Sequence, residues 1–208
     1  MNLPNLLTLS RIPLMVIVVA LLHPWEGKTI PWFWTLALTL FLFGALTDWL
    51  DGWLARRLGQ VSDFGKFMDA LVDKIFTMGT FVSLLALKIV PIGYLFPILL
   101  ILSREFLITG LRLVAAAQGK TLAAEKAGKV KTVMQITSIS LFLAEGAILH
   151  DLSQTKLLSF TYSWIEPIEL AGQISLIAAC LLTIYSGINY LVKYWSVFVG
   201  SESKNAIE

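Results

Sequence analysis

Long apolar runs dominate this chain and give the first expectation about its fold. They cover about 5–22, 33–57, 65–88, 92–115, 130–148 and 169–195, and shorter polar or proline-containing connections separate them. Each run is close to the roughly 20 residues that cross a bilayer as a helix. Backbone groups in lipid must bond internally, and runs such as 36–42 do not alternate in polarity as barrel strands do. The pattern therefore predicts an all-α polytopic membrane protein with six transmembrane helices in a single domain, residues 1–208.

Composition agrees with this pattern. Of the 208 residues, 57% are apolar and 14% are charged, whereas about 25% are charged in a typical soluble domain. Six spans and their connections leave no room for a separate soluble domain. The single cysteine, Cys180, lies in an apolar run, so we expect a buried small hydrophobic side chain there.

The distribution of basic residues predicts the orientation. If both termini are cytosolic, most lysines and arginines fall on or near that side, while the opposite connections carry only Lys28, Lys88 and Lys156. The positive-inside rule then places both termini in the cytosol. We therefore expect a multi-pass protein of the cytoplasmic (inner) membrane.

Four aspartates stand out because they lie inside apolar runs: Asp48, Asp51, Asp69 and Asp73. An aspartate at mid-membrane costs about 2.5–3.5 kcal/mol on insertion scales. The first two share one face of the second helix with Gly52, Ala55 and Arg56, and the last two share one face of the third helix with Gly65. The short connection 57–64 predicts an antiparallel pair of helices that brings the four carboxylates together at the cytosolic side.

Four ionised carboxylates in a small volume repel one another strongly unless cations lie among them. Hard oxygen ligands suit Mg²⁺ or Mn²⁺, and two ions bridged by Asp48 and Asp69 would suit phosphoryl chemistry. His23 and His150 fall on the opposite side, so a zinc site is not expected. The alternative is a set of interhelical ion pairs: Asp48 or Asp51 with Arg56, Asp69 with Lys66, and Asp73 with Lys74.

The spaced string D-x-x-D-G-x-x-A-R-x8-G-x-x-x-D-x-x-x-D, residues 48–73, resembles the signature of the CDP-alcohol phosphotransferase family. The resemblance implies a six-helix membrane enzyme, usually a homodimer, with two metal ions, expected to be Mg²⁺ with Mn²⁺ as the alternative. It implies metal binding by Asp48, Asp51, Asp69 and Asp73, with Asp73 also acting as general base. The residues that it places against the CDP part of the donor are Gly52, Ala55, Arg56 and Ser62.

Two further features belong to this resemblance. The polar start of the first helix implies that Asn5 and Thr8 touch the nucleotide, although helix capping would also explain them. The chain departs from many relatives at Ala70 and Val72, where they have Pro and Ala. Neither side chain needs to reach the metals, so only the fine geometry of the third helix is in question.

Basic residues of the fourth helix and of the segment after it predict where an acceptor binds. Arg104 and Arg112 lie in an apolar run, and Lys126, Lys129 and Lys131 follow. Together they predict a pocket for a phosphate dianion, although positive-inside topology alone would also explain the lysines. The strings R-E-F-x5-L-R and G-K-x-K-T-x-x-Q resemble the branch of the family whose acceptor is glycerol 3-phosphate.

The sequence thus predicts transfer of a phosphatidyl group from CDP-diacylglycerol to glycerol 3-phosphate. Inositol phosphate or serine as acceptor is the alternative within the family. An ion-coupled transporter is the alternative from another class, because intramembrane carboxylates also mark ion pathways. A structural scaffold would leave the spacing of glycines and carboxylates unexplained.

Overall fold

The computed structural model describes residues 3–23, 30–58, 63–117, 119, 126–152 and 162–199. Within these ranges all regular structure is helical, as predicted. The six long helices are α1 (Leu3–Leu22), α2 (Phe33–Leu58), α3 (Asp63–Ala86), α4 (Leu95–Ala117), α5 (Lys126–His150) and α6 (Ile165–Val199). Single 3₁₀ turns at Ile92–Tyr94 and Tyr162–Trp164 precede α4 and α6. Each long helix coincides with one predicted apolar run.

Two of these helices are long and apolar enough in the described residues to cross a membrane. They are α5 over Gly128–His150 and α6 over Ile165–Trp195. The apolar segments Thr8–Leu22 of α1 and Phe33–Asp48 of α2 are shorter. The helices α3 and α4 are continuous, but charged residues interrupt their apolar sequences. These residues are Asp69, Asp73, Lys74, Arg104, Glu105 and Arg112. Six membrane spans therefore remain a prediction.

The surface and the interior have the polarity expected of helices in lipid. Large apolar side chains such as Val82, Phe96 and Val192 are exposed on the outside, whereas Thr80, Ser138 and other hydroxyl residues are buried between helices. Small hydroxyl residues at helix interfaces are typical of membrane bundles. The prediction for Cys180 is confirmed, since its thiol is free and buried.

The helix α1 packs against the two helices that carry the four aspartates, α2 and α3. The helix α1 lies along both α2 and α3, which also contact each other directly at some points among the described residues. At one of these points the rings of Phe41 and Phe76 stack with centroids 5.1 Å apart. A Cβ atom on Gly44 would lie 2.5 Å from the Phe76 ring. The described parts of α2 and α3 thus contact each other directly, and α1 packs along both helices, a position that the sequence did not predict.

Contacts between α2 and α5 hold the end of α5 beside the beginning of α2. The ring of Trp34 stacks on that of His150 with centroids 4.8 Å apart. A Cβ atom on Gly146 would lie 2.1 Å from the same indole, so this position requires glycine. Asp151 accepts hydrogen bonds from the backbone nitrogen and the hydroxyl of Thr35, at 2.7 and 2.8 Å. These contacts lie far from the predicted site residues.

Because successive helices run in alternating directions, the predicted site residues lie together at the opposite end of the bundle from these contacts. The predicted site residues that the structure describes lie in the amino-terminal halves of α1, α3 and α5, in the carboxy-terminal half of α2, and in α4 from its middle onwards. The most extensive packing joins α5 to α6, and α4 packs against α6. The fold therefore offers one end of the bundle on which residues distant in sequence converge.

Candidate active site

A cavity of about 650 Å³ opens among the helices at this end. Its lining includes predicted metal ligands and predicted acceptor residues: Asp48, Asp69, Asp73, Arg104, Arg112, Lys129 and Lys131. Five helices, α2 to α6, contribute side chains. Two groups of residues that the sequence placed on different helices, with opposite charges, thus face the same volume.

We call Asp48, Asp69 and Asp73 the acidic wall. Arg11 of α1 links α2 and α3 here: its guanidinium bonds to the Asp48 carboxylate and lies 3.8 Å from Asp69 Oδ1. The Arg11 side chain is buried, whereas those of Asp48 and Asp69 are 40% and 53% exposed. Both carboxylates therefore keep accessible oxygens in addition to their contact with Arg11.

The acidic wall has the donor atoms that Mg²⁺ or Mn²⁺ prefers, since carboxylate oxygens are hard ligands. Asp48 and Asp73 also face a smaller cavity between α1, α2, α3 and α5, so they approach one another from neighbouring helices. No group of three or more acidic, histidine or cysteine side chains is drawn together among the described residues. The side chain of the fourth predicted ligand, Asp51, lies outside those described. The donor chemistry fits a divalent cation, and the ligand set described is partial.

For several other predicted site residues, the structure describes only the position of the backbone. Asp51, Gly52, Ala55 and Arg56 lie in the unbroken helix α2, as the spacing required, but their side chains lie outside the described set. Ser62 lies outside the described residues.

The two polar residues of the first helix have different outcomes. The side chain of Asn5 lies outside the described set. Thr8 is buried in α1 beyond its first turn, which argues against a capping role for it. Thr8 is not among the described residues that line the cavity.

Among the ion pairs of the alternative interpretation, only that of Asp73 with Lys74 joins two described side chains, since those of Arg56 and Lys66 lie outside the described set. Arg11 contacts Asp48 and Asp69, although the sequence marks it only as a charge near the cytosolic side. Lys74, expected beside the Asp73 carboxylate, lies 3.8 Å from Glu105 Oε2 and donates to the Ala70 carbonyl at 2.8 Å. The predicted pair of Asp73 with Lys74 is therefore replaced by a contact between α3 and α4.

The opposite side of the cavity is a basic wall, formed by Arg104, Arg112, Lys129 and Lys131. Glu105 organises it from within. Its carboxylate accepts a hydrogen bond from Lys131, lies 3.4 Å from Arg104 Nη1 and contacts Lys74. Three cations from three helices thus share one buried carboxylate, which fixes their positions while leaving positive charge in excess.

The two arginines of this wall are supported by α6. Arg104 donates from Nη2 to the Ser186 hydroxyl at 2.9 Å. A Cβ atom on Gly187 would lie 3.0 Å from Arg104 Cγ, so the missing side chain makes room for the arginine. The guanidinium carbon of Arg112 lies 5.3 Å from the centroid of the Tyr190 ring, a cation–π distance. Arg112 itself is exposed to the cavity, where it is available to an anion.

Sequence reasoning missed the contributions of α6. Ser186 and Gly187 lie three and four residues after Thr183, and Tyr190 follows them by four and three residues, which puts all four on one face of an otherwise apolar helix. That polar face is a signal that could have located the support for Arg104 and Arg112. Glu105 adjoins Arg104 in the sequence and contacts it, whereas its bond to Lys131 has no sequence signal.

Comparison with known proteins decides the family. The family model described as CDP-alcohol phosphatidyltransferase matches residues 1–185. The chain belongs to this family. It is 35% identical to the CDP-diacylglycerol--glycerol-3-phosphate 3-phosphatidyltransferase of Bacillus subtilis (strain 168), over 93% of this chain and 95% of that protein. Proteins of the same name from Rickettsia felis and Pseudomonas fluorescens are 33% and 32% identical, over 91% and 94% of this chain and 93% and 91% of theirs.

Nearly all of the residues that line the cavity lie within the region matched by the CDP-alcohol phosphatidyltransferase family model. The match includes all of the acidic and basic wall residues, because both walls lie before residue 185. Tyr190 and the last turns of α6 lie beyond the matched region. The family resemblance predicted from the aspartate string is confirmed.

Proposed function

We propose that this protein transfers the phosphatidyl group from CDP-diacylglycerol to glycerol 3-phosphate, giving phosphatidylglycerophosphate and CMP. It would act as a CDP-diacylglycerol--glycerol-3-phosphate 3-phosphatidyltransferase of phospholipid biosynthesis. The observation that carries the proposal is the single cavity with carboxylates on one side and cations on the other. The names of the relatives from three bacterial genera support the same reaction.

The two walls suit the two substrates. A nucleotide pyrophosphate carries charge that divalent ions can neutralise, so we place the donor at the acidic wall, with its acyl chains in the membrane. Glycerol 3-phosphate is a small dianion, and arginine forms paired hydrogen bonds with phosphate. We therefore place its phosphate at Arg104, Arg112, Lys129 and Lys131. A zwitterionic acceptor without phosphate would not require four cations.

In this arrangement Asp73 takes the proton from the primary hydroxyl of the acceptor as general base. The hydroxyl oxygen forms a bond to the lipid-side phosphorus, and the bond from that phosphorus to CMP breaks. Two Mg²⁺ ions held by Asp48, Asp51, Asp69 and Asp73 would supply charge stabilisation for the leaving phosphate, and Mn²⁺ has the same ligand preference. Much of the rate enhancement then comes from positioning the two substrates in one volume.

We place the enzyme in the cytoplasmic membrane with six spans and with the cavity and both termini on the cytosolic side. The exposed apolar side chains of α3, α4 and α6 support contact with lipid. Acceptor and released CMP are water-soluble, so the cavity must open to the aqueous side. We also expect a homodimer, as the family resemblance implies, and the mass of the purified protein corrected for detergent would test this.

An acceptor panel tests the proposed reaction. Purified protein in detergent micelles receives CDP-diacylglycerol with glycerol 3-phosphate, serine or inositol phosphate, and CMP release and lipid product are measured. We expect release with glycerol 3-phosphate and little with the other two. Release with serine but not with glycerol 3-phosphate would overturn the choice of acceptor. Substrate flux in liposomes without CMP release would favour a transporter.

A further inference from the structure

Two buried polar side chains in the cavity lining have no assigned role in the reaction proposed above. Gln135 of α5 is 3% exposed and Tyr190 of α6 is 1% exposed, and both line the cavity. The amide nitrogen of Gln135 has no hydrogen-bond partner among the described residues. The Tyr190 hydroxyl lies beside the guanidinium of Arg112, which can only donate, so the phenol proton has no acceptor there. By contrast, the hydroxyl of Ser138, one turn after Gln135, donates to the Gly172 carbonyl at 2.9 Å.

Leaving a buried donor unsatisfied costs about 1–3 kcal/mol, so native interiors rarely do so without a reason. At a cavity wall the usual reason is a ligand that supplies the missing partner. Both residues also stand next to the phosphate-binding cations. Gln135 lies one turn after Lys131, and Tyr190 lies one turn after Ser186, to which Arg104 donates. The guanidinium of Arg112 lies over the ring of Tyr190.

The chemistry of the two groups differs from that of the basic wall. An amide and a phenol are neutral and can donate hydrogen bonds, two from the amide NH₂ and one from the phenol, without adding charge. The phosphate of the acceptor already has several cations available, so these neutral groups suit another part of the same molecule. The part that remains, apart from the hydroxyl that reacts, is the secondary hydroxyl of glycerol 3-phosphate.

We propose that Gln135 and Tyr190 bind this secondary hydroxyl and so determine selectivity for a glycerol phosphate over a simple hydroxyalkyl phosphate. They act as specificity-determining residues, and the inference rests on the proposed function. A site built to bond a hydroxyl discriminates against the analogue without it, because the buried partners then stay unsatisfied.

The test compares glycerol 3-phosphate with 3-hydroxypropyl phosphate, which keeps the phosphate and the reactive primary hydroxyl and lacks the secondary one. The variants are Gln135→Met and Tyr190→Phe, which keep length and shape while removing the polar group. The matched control is Tyr194→Phe on the next turn of α6. The centroid of the Tyr194 ring lies 4.8 Å from that of the Tyr190 ring. The steady-state kcat/KM for each acceptor is measured at saturating CDP-diacylglycerol.

We expect each variant to lower kcat/KM for glycerol 3-phosphate about five- to tenfold and to leave the value for 3-hydroxypropyl phosphate within about twofold. Tyr194→Phe should change neither value. Activity on the deoxy acceptor shows that a variant is folded. An equal loss for both acceptors, or unchanged selectivity, would overturn the inference alone. Absence of turnover by the unmodified protein with glycerol 3-phosphate would overturn the proposed reaction and the inference with it.

Discussion

The two walls of the cavity are built in different ways. On the acidic wall, Asp48 and Asp69 are half-exposed and share the guanidinium of Arg11. On the basic wall, the Glu105 side chain is 10% exposed and contacts cations from α3, α4 and α5. One wall thus leaves charge accessible to ligands, and the other is tied together before any ligand arrives.

This difference suggests a division of labour. The acidic wall carries negative charge that cations from solution can neutralise, so its geometry can be completed when those cations bind. The basic wall balances part of its own charge through Glu105 and keeps a surplus for an anion. A preorganised anion site avoids reorganisation when the acceptor binds. Variants on the two walls should therefore fail in different ways.

The largest effect should come from the acidic wall. Asp73→Asn should lower kcat about 10²–10⁴-fold, because the amide cannot accept the proton of the attacking hydroxyl. Initial rates of CMP release at saturating substrates measure this. Glu166→Gln, which removes an exposed carboxylate in the first turn of α6, is the matched control and should retain full activity. Retention of more than a tenth of the wild-type rate by Asp73→Asn would reject the assigned base.

Removing the charge of Glu105 should instead damage stability. Glu105→Gln leaves buried cations without their counter-ion, and breaking a buried ion pair in this way costs about 3–5 kcal/mol. Denaturant or thermal unfolding in detergent measures the loss. The control is Glu145→Gln, since one oxygen of this buried carboxylate has no partner among the described residues. That variant should be neutral or more stable, and equal losses at both positions would contradict the role of Glu105.

Arg112→Ala should separate the two substrates. Loss of a charge-assisted contact to phosphate, about 1.5–3 kcal/mol, should raise the KM for glycerol 3-phosphate about 10- to 100-fold. The KM for CDP-diacylglycerol should hardly change, because the donor lies at the other wall. Lys193→Ala, on an exposed part of α6, controls for loss of one positive charge. A parallel rise in both KM values would count against a separate acceptor wall.

The smallest effect should come from the support behind Arg104. Gly187→Ala places a methyl group 3.0 Å from Arg104 Cγ and 3.2 Å from Nε, so the side chain must shift by a few tenths of an ångström. We expect the KM for glycerol 3-phosphate to rise about threefold, the scale of a strained rotamer. Gly110→Ala is the control, since nothing lies within 4 Å of the added methyl group. If both variants behave alike, Gly187 has no special role.

Sequence reasoning recovered the acidic wall and the arginines because their signals are local. Asp48 and Asp73 stand out against apolar neighbours, and helical spacing alone assigns them to faces of α2 and α3. The same holds for Arg104 and Arg112 in α4. The six helices followed from apolar runs of sufficient length, and their described ends lie within a few residues of the predicted ones.

What the sequence did not reveal depends on how helices pack. The position of α1 along α2 and α3 depends on side-chain shape, since Leu14 fills the space at Gly44 and Met15 the space at Gly79, and α1 brings Arg11 to Asp48. The pairing of Glu105 with Lys131 joins residues 26 positions apart in sequence. The side-chain donors of Gln135 and Tyr190 that lack an acceptor can be recognised only once the burial of both residues is known.

The division of labour between the walls is tested most directly by two-substrate kinetics of the unmodified protein at several concentrations of free Mg²⁺. As Mg²⁺ is lowered with a chelator, we expect kcat to fall and the KM for CDP-diacylglycerol to rise, while the KM for glycerol 3-phosphate stays nearly constant. Activity should return when Mg²⁺ is restored. Full activity in chelator, or a KM for glycerol 3-phosphate that rises in step with that of the donor, would contradict the account.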